Sequence, residues 1–176
     1  AVVSPADATG PITYYVDDTA VESNVLSGLA AGTYTVHAMY GGDDNYNAAV
    51  SNSISITVNK VASSVTVDPI SFTYGGSASA VATLVGATGV TATIDGHDGA
   101  VSVDGATITV SGLPAGTYTM VVTTVPDANH NAVSTTVTVT VEKADSSVSV
   151  DPISFAYGAS STVTATLTGA TGTAVL

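Results

Sequence analysis

Residues 111–142 read SGLPAGTYTMVVTTVPDANHNAVSTTVTVTVE. Two runs in it, Thr117 to Val122 and Thr136 to Val141, alternate with a period of two. Tyr118, Met120 and Val122 fall on one face of the first run; Val137, Val139 and Val141 fall on one face of the second. β-Branched residues alternating with polar partners describe a strand with one buried face. The two runs flank a loop at Val125-Pro126-Asp127-Ala128-Asn129-His130.

This stretch has a counterpart earlier in the chain. SGLAAGTYT at 27–35 matches SGLPAGTYT at 111–119, and DDNYNA at 43–48 matches DANHNA at 127–132, both at an offset of 84. A further match joins KVASSVTVDPISFTYG at 60–75 to KADSSVSVDPISFAYG at 143–158, at an offset of 83. One additional residue after Ala48 accounts for the difference, and Ile54, Ile56 and Val58 then align with Val137, Val139 and Val141. A slip of one residue would turn the apolar face to solvent, so burial sets this register. Internal repeats at a fixed period organise the whole chain.

The repeat is all-β. Strands are expected near 63–68, 70–74, 78–85, 89–95, 100–103, 106–111, 116–125 and 133–142. Gly75-Gly76, Asp95-Gly96, Asp98-Gly99 and Asp104-Gly105 lie between the runs, and Asp-Gly supplies the positive φ that tight hairpins need. No window has a helical period. About seven short strands with frequent turns in a unit of this size indicate tandem immunoglobulin-like β-sandwich repeats with a period of 83–84.

Three segments follow. Residues 1–59 form a partial repeat lacking its opening strands, since Ala8-Thr9-Gly10 aligns with Ala87-Thr88-Gly89. Residues 60–142 form a complete repeat. Residues 143–176 supply the opening strands of a further repeat. The chain is then either a window on a longer array or a subunit whose tail completes the open edge of 1–59 in a neighbouring copy. Strand donation of that kind would build head-to-tail filaments. At Val58-Asn59-Lys60-Val61 and Val141-Glu142-Lys143-Ala144 one repeat passes into the next without a Gly-, Pro- or Ser-rich spacer, which favours a semi-rigid rod.

Composition excludes several functions. The 176 residues carry 2 basic and 14 acidic side chains, a net charge of −12, and charged residues make up 9% against 45% hydrophobic. Lys60 and Lys143 are the two cations, too few for a phosphate-binding surface or a polybasic membrane anchor. Without cysteine there are no disulfides, thiolate metal sites or thiol nucleophiles. Every apolar run is interrupted by Thr, Ser or Gly, so membrane insertion is not expected. No G-x-S-x-G elbow or phosphate-binding glycine loop occurs, and the two glutamates, Glu22 and Glu142, lie in different repeats. No catalytic residues and no cofactor are assigned.

One cluster could hold a metal. Asp43, Asp44 and Asn45, with the weaker counterpart Asp127, offer the oxygen ligands calcium takes in extracellular modules. Their spacing matches no EF-hand, and Asx side chains also cap their own turns, so the alternative is a structural loop with Tyr46 packed as a corner residue. Asp95-Gly96-His97-Asp98-Gly99 is explained by two consecutive turns. His37, His97 and His130 are expected to be exposed polar surface. An isopeptide crosslink requires an interior lysine, and residues 61–142 contain none.

The series DPISFTYGG, SGLPAGTYT, YGGDDNYNAAVS and a closing TVNK resembles the bacterial Ig-like repeats of large cell-surface, adhesin-like proteins. In those repeats an ITYG segment opens the unit, GTVTFYVDG sits mid-domain, and AGTYTVTATYSGDANYN leads to the last strand. Tyr14-Tyr15-Val16-Asp17 and Tyr40-Gly41-Gly42-Asp43-Asp44-Asn45-Tyr46-Asn47 stand at the corresponding places. The second repeat departs from the pattern at 125–130, where Tyr-Gly-Gly is lost and His130 replaces the tyrosine. The resemblance implies a non-enzymatic, extracellular stalk or fibre on a microbial surface, with neighbouring repeats or copies as partners and no named receptor. The alternatives are a filament subunit joined by strand donation, and a glycan- or calcium-binding module using Tyr40 and Tyr46.

Overall fold

A computed structural model describes residues 6–169; the outermost parts of the first and last segments, 1–5 and 170–176, lie outside the described residues. The described residues form strands and turns without a helix. In chain order the strands are β1 (Ile12–Val16), β2 (Thr19–Val21), β3 (Gly32–Tyr40), β4 (Ala49–Val50), β5 (Ile54–Val58), β6 (Val61–Ala62), β7 (Ser64–Thr66), β8 (Ile70–Thr73) and β9 (Ser77–Val81). They continue as β10 (Thr83–Val85), β11 (Ala87–Ile94), β12 (Val101–Asp104), β13 (Thr107–Ser111), β14 (Gly116–Pro126), β15 (His130–Asn131), β16 (Ser134–Glu142), β17 (Ser147–Val150) and β18 (Ala165–Thr168). Two compact units result: Ala1–Ser64 with Leu84–Gly89 and Thr124–Val133, and Val65–Thr83 with Val90–Thr123 and Ser134–Leu176.

The second unit contains the sandwich core. One sheet has the order β11-β14-β16-β8 and the other β12-β13-β9. β14 and β16 pair antiparallel with Met120 opposite Val137 and Tyr118 opposite Val139, so the alternating apolar residues share one face. β8 adds parallel to the far edge of β16, with Ile70 opposite Val139 and Phe72 opposite Val141. Met120, Val122 and Val139 from one sheet, Ile108 and Val110 from the other, and Leu113 beside them are fully buried. Expected and observed strands agree closely, with one exception. The run 78–85 is broken at Ala82, because β9 pairs with β13 while β10 pairs with β7. Ala82 is buried at the crossing and gives its N–H to the carbonyl of Ala106. A strand that changes sheets must interrupt its ladder there.

The first unit has a five-stranded antiparallel sheet, β2-β1-β3-β4, with β5 also on β3. The β1–β2 hairpin turns through Asp17 and Asp18, both at positive φ (45° and 62°), the signature of a two-residue type I′ loop. Asp17 is fixed there by accepting the Thr35 N–H at 2.7 Å and by its own N–H bonding Thr35 O at 2.9 Å. Also in this unit, β6 and β15 pair parallel. The buried hydroxyls of Ser63 and Thr124 lie 2.7 Å apart, with Asn131 O and Val133 O as acceptors. No buried polar side-chain atom among the described residues lacks a partner.

Candidate functional site

The acidic loop follows β3. Gly42, at φ +84°, turns the chain; a Cβ there would lie 2.9 Å from the Ala48 nitrogen. Asp43 N–H then bonds Tyr46 O at 2.9 Å. Asp43 Oδ1 accepts the N–H groups of Asn45 and Tyr46, both at 2.9 Å. Its Oδ2 accepts Thr9 N–H at 2.8 Å, Thr9 Oγ1–H at 3.3 Å and the Tyr40 hydroxyl at 2.7 Å. A carboxylate offers about four lone-pair sites, and these five donors fill them. The charged form is therefore favoured, and the Asp43 carboxyl is held well below the usual carboxylate range, chiefly by the Thr9 N–H and then by Tyr40 and Asn45.

Around this carboxylate stand two tyrosines. Tyr40 accepts the Gly10 N–H at 3.3 Å, and its phenol is pushed up by desolvation and by its bond to Asp43. Gly10 approaches so closely that a Cβ would stand 2.1 Å from Gly42 O. Tyr46 donates to both carboxylate oxygens of Asp7 at 3.0 Å, which raises its own pKa. Asp44 and Asn45 have exposed side chains. The loop is thus a polar clamp tying the stretch before β1 to the turn after β3.

In the second repeat Asp127 takes the place of Asp43. Its Oδ1 accepts Asn129 N–H at 2.8 Å and contacts His130 Nδ1 at 2.7 Å. The histidine is the main cause of its lowered pKa. Thr9 and the tyrosine pair have no counterpart in these contacts, and Asn129 Oδ1 instead accepts the Ala31 N–H at 2.8 Å. Among the described residues, no group of three or more His, Asp or Glu side chains is arranged to hold a metal ion.

The histidines correct the expectation of exposed polar surface, since all three are half-buried with partners. His37 stacks on Tyr15 at 4.8 Å with the rings parallel to within 1°. His97 meets Tyr118 edge-on at 5.1 Å. His130 packs over Gly86, where a Cβ would lie 2.3 Å from its Cδ2. The corner tyrosines are also elsewhere than expected. Tyr34 and Tyr118 each donate their hydroxyl to a carbonyl four residues upstream, Ala30 O and Pro114 O, both at 2.8 Å. Such a tyrosine corner locks the entry to a strand of an immunoglobulin-like sandwich. The signal was in the repeated SGLAAGTYT and SGLPAGTYT, where the tyrosine follows the tight turn at a fixed distance.

No family model and no curated protein matches this chain. Among solved structures, it is similar to the fibronectin(III)-like modules of Clostridium thermocellum CbhA, at 17% identity over 81% of this chain and 83% of that one, with a TM-score of 0.40. A chimeric titin Z1Z2–Z1Z2 tandem matches at 14% identity over 78% of this chain and 85% of that one, TM-score 0.34. The Bacteroides ovatus mixed-linkage glucan utilisation locus SGBP-B, solved with a mixed-linkage heptasaccharide, matches at 21% identity over 78% of this chain but 38% of that one, TM-score 0.29. These likenesses concern fold alone. The chain is an all-β protein of immunoglobulin-like sandwich architecture.

Proposed function

We propose that this chain is a non-enzymatic structural segment of an extracellular stalk or fibre, in the manner of the bacterial Ig-like repeats of adhesin-like surface proteins. The observation that carries the reading is the joint between repeats: β5 ends at Val58 and β6 begins at Val61, leaving Asn59 and Lys60 between them. So short a link between successive repeats restricts their relative rotation, and a repeated sandwich with short joints keeps length under load. The chemistry of the loops supports it. Asp43 and Asp127, which a catalytic or metal site could use, accept backbone N–H groups of their own turns, and Asp17 accepts the Thr35 N–H of β3. An acidic surface at −12 would keep neighbouring stalks apart and in solution. Among the described residues no helix is long and apolar enough to cross a membrane. Immunogold microscopy on intact cells of the source organism, with antibody to this chain, tests the reading. Label on projections away from the envelope is expected; label that needs permeabilised cells would overturn it.

A further inference from the structure

The loop between β14 and β16 belongs to the second repeat by sequence, yet Thr124–Val133 and Leu84–Gly89 fall in the first compact unit. One side chain in it reaches the first repeat directly. Asn129 Oδ1 accepts the Ala31 N–H at 2.8 Å, across 98 residues of chain.

Both ends of that bond are fixed by their surroundings. The Asn129 carbonyl accepts the Val61 N–H at 3.0 Å, where the parallel β6–β15 pairing begins. The Asn129 N–H bonds Asp127 Oδ1 at 2.8 Å, and the same oxygen lies 2.7 Å from His130 Nδ1. The His130 ring is seated over Gly86, and Asn131 O accepts the Ser63 N–H at 3.1 Å. Ala31 is held as firmly. It stands between Ala30, whose carbonyl takes the Tyr34 hydroxyl, and Gly32, which pairs with Val58.

These contacts close a circuit around the link between the repeats. Val58 ends β5, Asn59 and Lys60 follow, and Val61 opens β6. Val61 bonds Asn129, and Asn129 returns to Ala31, the neighbour of Gly32. Without the last bond the φ and ψ torsions of Asn59 and Lys60 could turn. One neutral hydrogen bond is weak between free molecules. Here a two-residue link keeps its partners close, so a small term suffices to select one orientation. The local turn does not account for the bond. Asn45, the equivalent residue of the first repeat, makes the same turn with its N–H on Asp43 Oδ1 at 2.9 Å, and that loop directs its polar contacts to Thr9 and Asp7 of its own repeat.

We propose that Asn129 is an inter-repeat brace: its loop is an interaction surface for the turn Ala30-Ala31-Gly32 of the preceding repeat, and the bond to Ala31 sets the angle of the Asn59-Lys60 link. Asp127 and His130 are positioning residues that aim the asparagine. The brace deepens the stalk reading and rests on it for its purpose, since holding direction matters where consecutive repeats form a rod.

Because the chain has no cysteine, spin labels can be placed on Thr19→Cys and Ser102→Cys, exposed positions of the first and second repeats. Pulsed electron paramagnetic resonance then reads the spread of distances between them. The labelled parent should give one narrow distribution, and Asn129→Ala should about double its width. Asn129→Asp keeps the acceptor and should restore the narrow distribution, and Asn45→Ala should leave it unchanged. Asn129 is exposed, so Asn129→Ala should melt with the parent. Amide exchange on the unsubstituted chain gives an independent reading: the Ala31 N–H should exchange about two- to tenfold more slowly than an unstructured amide, as one hydrogen bond allows. An Asn129→Ala chain as narrow as its parent, an Asn129→Asp chain as broad as the alanine variant, or a freely exchanging Ala31 would overturn the brace and leave the stalk reading standing. A parent that is itself broad would overturn both.

Discussion

Asp43 receives five hydrogen bonds on two oxygens, and that dictates how it responds to pH. A carboxyl whose folded pKa lies below its unfolded value stabilises the fold fully above that value and loses the effect as pH falls toward the folded pKa. With an unperturbed value of 3.8, Asp43 supports the loop throughout neutral and mildly acid conditions. Asp43→Asn presents an NH₂ to donors that need an acceptor. It should lower the melting temperature by several degrees at pH 7, and the gap to wild type should narrow below about pH 4. Asp127 has a shift of the same direction but is common to both proteins and cancels in the difference. Calcium should move neither melting curve, because Asp43 has no lone pair to spare. The tyrosine corners give a second test. Tyr118→Phe deletes one hydroxyl-to-carbonyl bond and leaves the ring against His97, so urea denaturation should show a loss of about 1 kcal/mol.

At the scale of strands, equivalent positions separate burial from sequence. Met120 sits at the centre of the closed core, so Met120→Ala should cost about 2–5 kcal/mol. Ile54, 54% exposed on the same face of the open sheet, should tolerate Ile54→Ala with a change within about 0.5 kcal/mol. Denaturant titration of both variants checks the contrast. The alternation of Thr117–Val122 and Thr136–Val141 made β14 and β16 legible from sequence, because a half-buried strand repeats every two residues whatever its neighbours are. The crossing at Ala82 was not legible: alternation continues through 78–85 and carries no record of which partner each half chooses. The loop showed the same division. Asp43 could be singled out from its neighbours' chemistry, but Thr9 N–H, 34 residues away, is a donor no local pattern reveals. His130 looked like surface because the glycine it covers, Gly86, belongs to a different turn.

For the molecule as a whole, the decisive property is that one core is closed and another is open, although both follow the same pattern. A net charge of −12 opposes association at low ionic strength, and salt screens that repulsion. The most direct test is amide hydrogen exchange on this chain. Strands β13, β14 and β16 should be protected, as fits the closed core they form. Residues 23–27 and 153–156, which form no strand, should exchange freely. Protection of 23–27 equal to that of β13, or free exchange in β14 and β16, would contradict the account.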